Sequence, residues 1–249
     1  IARNIEASDM IYNLDVSNTE ELKKIIDLKY DVIINCIGIL NKDAEENPHK
    51  AIWFNSYFPH FLEAATKNTN TKVISISTDC VFSGKRGNYC ETDYKDGEGF
   101  YAVSKSLGEI VNEKDLTIRT SIIGPELNKN GIGLFHWFMQ QKKEINGYTQ
   151  AFWSGITTIE LAKVIDQAIK QNIRGLIVVA GNNKIDKYSI LVLFNKVFKN
   201  NSIVINENSN YKVDKSMHSI RNDFDYSVLS YEEMILEMKR WVDANETKY

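Results

Sequence analysis

The sequence predicts an α/β fold: a mostly parallel sheet, with a smaller second α/β lobe. Apolar strand-like runs alternate with amphipathic helical stretches through the first half of the chain, which is the pattern of βαβ units. The run Val32–Cys36 is apolar at nearly every position, as expected for a strand that helices cover on both faces. With 249 residues, of which 43% are hydrophobic, the chain can bury a substantial core without metals or cross-links.

The predicted elements of the first half follow one another closely. They are a strand at Met10–Val16, a helix at Thr19–Leu28, a strand at Val32–Cys36, a helix from Pro48 to about Ala65, a strand at Lys72–Ser77, a helix from about Tyr101 to Glu113 and a strand at Leu116–Ile123. In the first helix, Leu22, Ile25 and Ile26 recur at helical spacing, and Ser17 or Asn18 precedes them as a cap. Strands that alternate with helices in this way are joined by right-handed crossovers into a parallel sheet.

After Gly124 and Pro125, strand-like and helical segments alternate less regularly. We therefore predict two units, residues 1–124 and residues 125–249, the second returning in part to the sheet of the first. The second unit is predicted to hold helices at Leu134–Met139, Thr157–Gln171, Asp186–Phe198 and Tyr231–Val242, with a strand at Leu176–Val179. The acidic and amide-rich stretch Asn195–Asn210 is interpreted as solvated surface.

Composition and charge argue against several classes of function. The net charge of −3 leaves no excess positive charge for phosphate backbones, so nucleic acid is not an expected partner. Three cysteines are too few for a disulfide framework or a Cys-rich zinc site, and the four histidines lack metal-ligand spacing, so no metal is predicted. No apolar run approaches the roughly 20 residues that cross a bilayer, and the start shows no signal-peptide pattern. We therefore expect a cytoplasmic protein without a membrane partner.

The residues that could carry chemistry lie in Val73–Gly84 and Tyr101–Lys105. Thr78 comes just past the end of a predicted buried strand, where ligands of open α/β sheets bind. Tyr101 and Lys105 are four residues apart at the start of a helix, which places both side chains on one face. A nearby ammonium group favours the phenolate and lowers the pKa of a tyrosine. A tyrosine tuned in this way can exchange a proton with a carbonyl or alcohol oxygen that a threonine hydroxyl holds in place.

The tyrosine–lysine spacing is not specific by itself. Tyr211 and Lys215 share it, but no buried strand ending in hydroxyl residues precedes them, and we interpret this second pair as surface structure. Without the strand end Ser77–Asp79, the pair Tyr101 and Lys105 would be explained equally well as a solvated helix start. We therefore base the prediction of a site on two features together: the strand end Ser77–Asp79 and the pair Tyr101 and Lys105 at a helix start.

Three sequence segments, in their order and spacing, carry a family resemblance. They are Ser77–Gly84, Tyr101–Glu109 and Arg119–Ser121. Together with Asp31–Gly38, which matches a fourth family strand, they resemble the extended short-chain dehydrogenase/reductases and, more narrowly, the dTDP-4-dehydrorhamnose reductases. The resemblance implies a Rossmann-like doubly wound parallel sheet, with residues 1–124 as an NAD(P)-binding domain and residues 125–249 as a substrate-binding lobe. It also implies NAD(P)H-dependent reduction of a 4-keto nucleotide-activated deoxysugar in surface polysaccharide biosynthesis.

The resemblance assigns roles to individual residues. Tyr101 takes the position that protonates the sugar oxygen, Lys105 the position that holds the nicotinamide ribose and lowers the tyrosine pKa, and Thr78 the position that hydrogen-bonds the keto oxygen. NADP or NAD would be contacted by Arg3, Asp15, Val16, Cys36, Ile37, Gly38, Asn55, Ser77, Tyr101 and Lys105. The nucleotide-sugar substrate would be contacted by Thr78, Asp79, Cys80, Tyr101, Ile122 and Trp153.

The chain also departs from the family pattern on the substrate side. Cys80 stands where family members usually carry Tyr, and Ile122 where they carry Trp. A related 4-keto or otherwise activated hexose, including a UDP-linked one, therefore fits as well as dTDP-4-dehydrorhamnose. We interpret Cys80 as a bystander rather than a reactive thiol. Trp153 is interpreted as packing within the second lobe or as a stacking surface for a base or sugar.

The family's first strand, Gly-rich phosphate turn and first helix have no counterpart in this sequence. Either these elements precede Ile1 in the complete protein, which is our expectation, or cofactor binding has been lost. Two other functions stay open at this point: an epimerase or dehydratase of the same fold, and a non-catalytic regulatory binding subunit. Helix faces typical of this fold pair in dimers, so a homodimer is a further expectation.

Overall fold

The computed structural model describes residue 1, residue 8, residues 11–126 and residues 130–245. Its helices are α1 (Thr19–Ile26), α2 (Asn41–Glu46), α3 (Pro48–Ala51), α4 (Phe58–Thr66), α5 (Gly99–Leu107), α6 (Leu134–Met139), α7 (Thr158–Lys170), α8 (Lys187–Phe198) and α9 (Tyr231–Ala244). Its strands are β1 (Val32–Asn35), β2 (Lys72–Thr78), β3 (Leu116–Thr120), β4 (Ile122–Ile123), β5 (Glu144–Tyr148), β6 (Ala151–Trp153), β7 (Ile156–Thr157), β8 (Gly175–Val178), β9 (Ile185–Asp186), β10 (Val204–Asn208) and β11 (Val213–Asp214). A π-helical turn joins α3 to α4, and a 3₁₀ turn follows β2.

A parallel sheet in the order β1-β2-β3-β8 forms the centre of the described chain. Helices cover both of its faces at β2, but the edge strand β1 is covered less than predicted, with Ile34 45% exposed. Val73 of β2 belongs to a buried cluster with α1 and α4, whereas its neighbour Ile74 belongs to a cluster with α7 and α9. Successive residues of one strand are thus buried on opposite faces of the sheet. The predicted α/β class with a parallel sheet is confirmed.

The second lobe has an aromatic core of its own. Phe135 and Phe138 of α6 pack against Phe194 of α8, with ring centroids 5.2 and 5.7 Å apart. The small sheets β10-β5 and β11-β6-β9 lie in this half of the chain, and β4 pairs with β7. β8 also comes from the second half but joins the central sheet. The division of the chain at residue 124 stays a prediction.

Three predicted elements of the first half differ in the structure. No strand is assigned within residues 11–16, where Ile11 forms an isolated bridge with Ser8. Leu14 and Val16 are instead buried against α1 and α4. The helix α5 ends at Leu107 because Gly108 follows it, not at Glu113. The strand β3 ends at Thr120, after which the chain turns to pair with β7.

The long helix predicted before β2 is present but contains a π turn. Pro59 has no N–H and cannot donate back to Asn55, and the Phe58 N–H bonds to the Trp53 carbonyl, five residues earlier. The Asn55 carbonyl lies against Gly108 at the end of α5, where a Cβ would come 1.8 Å from its oxygen. Gly108 therefore sets how closely the two helices approach.

The interpretation of Asn195–Asn210 as solvated surface is wrong in part. Within it, β10 pairs along all five residues of β5. Asn195 is buried, and its amide exchanges hydrogen bonds with the backbone of Ile203 at 2.7 and 3.2 Å. A strand that is covered on one side only can be rich in Asn and Glu, so composition does not reveal it.

Candidate active site

A cleft of about 410 Å³ opens at the carboxyl ends of β1, β2 and β3. Its walls are Cys36–Gly38 after β1, Ile76–Cys80 at the end of β2 and Thr120–Glu126 after β3. Residues 132–134 of the second half face them. Ligands of open parallel sheets bind outside the carboxyl ends of the strands, so this is the expected place for a site.

Thr78 and Tyr101 meet in this cleft. Thr78 is the last residue of β2, and its hydroxyl donates to the Asp79 carboxylate and accepts from the Cys80 backbone N–H, each at 3.1 Å. Tyr101 lies in the first turn of α5, and its side chain lines the same cleft as Thr78. The structure therefore brings together the hydroxyl pair that the strand end and helix start predict.

Glu45 of α2 fixes the start of α5. Its two carboxylate oxygens accept hydrogen bonds from the backbone N–H groups of Phe100 and Tyr101, each at 3.1 Å. Gly99 adopts φ +87°, and a Cβ at this residue would lie 2.7 Å from the Glu45 carboxylate. A carboxylate at a helix N-terminus satisfies free N–H groups and interacts favourably with the helix dipole. Glu45 was not predicted as a site residue, because α2 was not predicted and Glu45 lies more than 50 residues from Phe100 and Tyr101 in sequence.

Lys105 lies one turn beyond Tyr101 on α5 and is only 8% exposed. Its ammonium group donates to the Ile76 carbonyl oxygen at 2.7 Å, two residues before the end of β2. Burial lowers the pKa of Lys105 to about 8, while Glu109 and Cys36 act to raise it. Lys105 therefore titrates much closer to neutral pH than an exposed lysine does.

The prediction that Lys105 lowers the pKa of Tyr101 is wrong for this structure. Burial raises the pKa of the phenol above its ordinary value, and the nearby Cys80 and Asp79 act in the same direction. The hydrogen bond with Thr78 lowers it only in part. Burial is the largest cause, and Lys105 is not among the groups that shift the pKa of this phenol. Tyr101 is consequently a protonated phenol that can donate a proton.

The predicted cofactor residues line two adjoining cavities. Asp15 and Val16 line a second cavity, of about 500 Å³, which shares Ile37 and Gly38 with the cleft. A Cβ on Gly38 would come 4.0 Å from the Lys105 ammonium, so the glycine leaves open space beside that cation. Two connected cavities along the strand ends fit an extended dinucleotide such as NAD or NADP.

Asn55 and Ser77 contact protein groups in the structure. Asn55 is 1% exposed, and its amide exchanges hydrogen bonds with the Ile39 backbone at 2.8 and 2.9 Å, which braces the loop after β1. The Ser77 hydroxyl donates to Glu109 at 2.7 Å. Arg3 lies outside the described residues. Contact of these three side chains with a cofactor stays a prediction.

On the substrate side, the structure brings some of the predicted residues to the cleft and not others. Asp79, Cys80 and Ile122 line it. Trp153 is 3% exposed in the core of the second lobe, and its indole N–H donates to the Ser121 hydroxyl at 2.7 Å. The packing interpretation of Trp153 is confirmed, and Ser121 is the residue through which it reaches the cleft. Burial raises the pKa of the Cys80 thiol, which fits a bystander rather than a reactive thiolate.

Two lysines on the substrate side were missed. Lys215 is half-buried and lines a neighbouring cavity of about 480 Å³ that also contains Cys80. Its sequence partner Tyr211 is 52% exposed, as expected for surface. Lys187, the first residue of α8, has its ammonium group 4.9 Å from the Trp153 ring centroid, and burial lowers its pKa. The chain fold brings both lysines near the cleft, and no local motif marks them.

Among the described residues, no group of three or more His, Cys, Asp or Glu side chains is placed to hold a metal ion. In that part of the chain, no helix is both long enough and apolar enough to cross a bilayer. Cys36, Cys80 and Cys90 are free thiols.

A family match covers most of the chain. The family described as RmlD substrate binding domain matches residues 2–223. The chain belongs to the RmlD substrate binding domain family. This match confirms the resemblance that Ser77–Gly84 and Tyr101–Glu109 carry, and it extends over both lobes.

Two curated relatives share parts of the family sequence. A dTDP-4-dehydrorhamnose reductase of Mycobacterium tuberculosis is 38% identical over 85 residues, which are 32% of this chain and 28% of that protein. The spore coat polysaccharide biosynthesis protein SpsK of Bacillus subtilis is 28% identical over 141 residues, 54% of this chain and 50% of that protein. The matched segments thus span half or less of the length of these relatives.

Solved structures of the family share the fold over nearly the whole chain. A hypothetical dTDP-4-dehydrorhamnose reductase from Sulfolobus tokodaii has a TM-score of 0.77 and 26% identity, covering 93% of this chain and 88% of that chain. A dTDP-4-dehydrorhamnose reductase from Bacillus anthracis, in complex with NADP, has a TM-score of 0.78 and 20% identity, covering 94% and 87%. The predicted Rossmann-like doubly wound fold is therefore confirmed.

Proposed function

We propose that this protein reduces the keto group of a 4-keto nucleotide-activated deoxysugar with NADPH or NADH. The observation that carries the proposal is that Thr78, Tyr101 and the buried Lys105 line one cleft at the strand ends. Family membership supports the same chemistry, since relatives are named dTDP-4-dehydrorhamnose reductases and one of them contains NADP. The name of SpsK supports a role in surface polysaccharide biosynthesis. We also propose a cytoplasmic location, where nucleotide sugars are made.

The two cavities suggest where a dinucleotide would be held. Asp15 and Val16 would contact the adenosine half, and Ile37 and Gly38 the middle of the molecule. The Lys105 ammonium would hold the nicotinamide ribose. When bound, the nicotinamide supplies the hydride that reduces the carbonyl carbon.

The residues of the chain act on the substrate oxygen. The Thr78 hydroxyl, which donates to Asp79 in the structure, would turn to donate to the keto oxygen and hold it beside the Tyr101 phenol. Tyr101 then donates its proton as negative charge develops on that oxygen. The raised pKa of Tyr101 keeps the phenol protonated at neutral pH, so the proton is available when the more basic alkoxide forms. Burial of the site strengthens these hydrogen bonds because water is excluded.

The central test measures consumption of NADPH by the full-length protein with dTDP-4-dehydrorhamnose and with a UDP-linked 4-keto hexose. Tyr101→Phe is expected to lower turnover by about 100-fold or more, because it removes the proton donor and leaves the ring in place. Tyr211→Phe is the matched control, since this exposed tyrosine also precedes a lysine by four residues. Near-normal turnover of Tyr101→Phe, with an unchanged melting temperature, would disprove the mechanism.

The same NADPH assay distinguishes a reductase from proteins of this fold that have other functions. Neighbours with the same fold include a dTDP-glucose 4,6-dehydratase from Bacillus anthracis and a UDP-N-acetylglucosamine 4-epimerase from Methanobrevibacter ruminantium. A reductase consumes one NADPH for each sugar converted, whereas an epimerase or dehydratase consumes none. Failure of the full-length protein to bind NADPH would instead indicate a regulatory binding subunit. Light scattering of the same preparation tests the predicted homodimer.

A further inference from the structure

Helix α5 is attached to the end of β2 by two polar side chains spaced four residues apart. Lys105 donates to the carbonyl oxygen of Ile76 at 2.7 Å. Glu109, just after the end of the helix, accepts a hydrogen bond from the Ser77 hydroxyl at 2.7 Å. Ile76 and Ser77 directly precede Thr78 on the strand. The helix that presents the proposed proton donor is thus bonded to the two residues before the proposed oxygen-binding hydroxyl.

The Glu109 carboxylate is itself held from several directions. Arg119 of β3 donates to it through Nε at 2.9 Å and through Nη2 at 2.8 Å, and both side chains are 2% exposed. Lys95 adds a second cation, with Nζ at 3.0 Å. Arg119 also donates to the Cys90 carbonyl at 3.2 Å and lies over the Phe82 ring, 5.0 Å from its centroid. Bidentate pairing of this kind fixes direction as well as distance.

The charges around Lys105 depend on the same carboxylate. Glu109 and Cys36 are the groups that favour its ammonium form, and the burial of Lys105 opposes it. Cys36 is a thiol on the loop after β1, and burial raises its pKa, so it is uncharged at neutral pH. Glu109, faced by Arg119 and Lys95, is therefore the anion on which the charge of Lys105 depends.

We propose that Glu109 is a positioning residue that, through Ser77 and Arg119, holds α5 in register with the end of β2. In this arrangement Tyr101 stays beside Thr78 in the cleft, and the Lys105 ammonium stays at the wall of the cleft. The kinetic part of the test below rests on the proposed function. The part that measures hydrogen exchange and lysine titration does not.

The first experiment compares Ser77→Ala with Ser75→Ala in the full-length protein. Both serines are buried on the same face of β2, but the Ser75 hydroxyl has no hydrogen-bond partner among the described residues. Only Ser77→Ala breaks the link to Glu109, and it leaves the ion pair with Arg119 intact. We expect Ser77→Ala to lower kcat by up to about 100-fold with little change in KM, because the reacting groups are misaligned. Ser75→Ala should match the unmodified protein, and Ser77→Thr, which keeps the hydroxyl, should restore kcat.

The measurements of hydrogen exchange and lysine titration need no substrate. Amide hydrogen exchange in residues 100–107 should be faster in Ser77→Ala than in Ser75→Ala, because one of the two side-chain hydrogen bonds between this segment and β2 is gone. In Glu109→Gln, with lysine labelled at Cε for NMR, Lys105 should lose its proton at lower pH than in the unmodified protein, because the stabilising anion is gone.

The outcomes separate the two proposals. If the unmodified protein reduces no keto sugar but Ser77→Ala still loosens α5, the proposed function fails and the positioning role of Glu109 stands. If Ser77→Ala and Ser75→Ala give the same kcat and the same exchange rates, the positioning role is overturned. Should Glu109→Gln not fold, the serine pair decides the matter alone.

Discussion

At the scale of single residues, Lys105 illustrates a conflict between stability and function. Its ammonium group is taken out of water, and burial lowers its pKa from 10.5 to about 8. One hydrogen bond to the Ile76 carbonyl and the charge of Glu109 offset only part of this desolvation. Perturbed pKa values of this kind concentrate at functional sites, where a charge is kept because ligand chemistry requires it.

Lys105→Met should therefore stabilise the folded protein while removing its activity. The substitution eliminates the cost of a buried ammonium, which a shift of this size puts at about 3 kcal/mol at pH 7. Because the folded pKa lies below the unfolded value, the cost is full below about pH 8 and is lost as the pH rises toward 10.5. Urea unfolding of both proteins at pH 7 and pH 10 measures the difference. A gain in stability that is the same at both pH values would contradict the assignment.

At the scale of elements, local signals predicted helices better than strand pairings. The Asn18 side chain caps α1 by accepting from Glu21 N–H at 3.3 Å, and Thr157 caps α7 by accepting from Glu160 N–H at 3.2 Å. Caps and helical periodicity depend on residues within one or two turns, so the sequence shows them. The strands β5 and β10 were missed, because their pairing joins segments about 60 residues apart and neither has a continuous apolar run.

Gly108 tests how α4 and α5 are held together. Gly108→Ala would place a Cβ 1.8 Å from the Asn55 carbonyl oxygen and force the two helices apart, at a cost of about 1–3 kcal/mol. Gly38→Ala is the comparison, since its Cβ would meet other atoms only at 3.5 Å or more. We expect it to leave the free energy of unfolding nearly unchanged and to weaken NADPH binding. Equal unfolding midpoints for the two variants in urea would show that the helix contact does not limit stability.

At the scale of the whole molecule, the cleft is built from both halves of the chain. The ends of β1, β2 and β3 form one wall, and residues 132–134 form another. Trp153 and Ser121 connect the second-lobe core to this cleft through one hydrogen bond of 2.7 Å. A ligand that fills the cleft therefore contacts both halves and should stabilise them together.

NADPH and a nucleotide sugar should raise the thermal stability of the full-length protein. A ligand that binds only the folded state at 100 times its Kd adds about 2.7 kcal/mol to the free energy of unfolding. We expect one cooperative transition whose midpoint rises with ligand concentration in differential scanning calorimetry. Two transitions, of which NADPH moves only one, would show that the halves unfold independently.

The parallel α/β class, most of the helices and the meeting of Thr78, Tyr101 and Lys105 at one cleft could be predicted from the sequence alone. Apolar periodicity, caps and motif spacing are properties of nearby residues, and they persist whatever the rest of the chain does. Only the tertiary structure decided that Glu45 fixes the start of α5, that Lys215 lines a cavity beside the cleft, and that the pKa of Tyr101 is raised. These features depend on burial and on contacts between distant segments. No local pattern contains that information, because desolvation and packing exist only after the chain has folded.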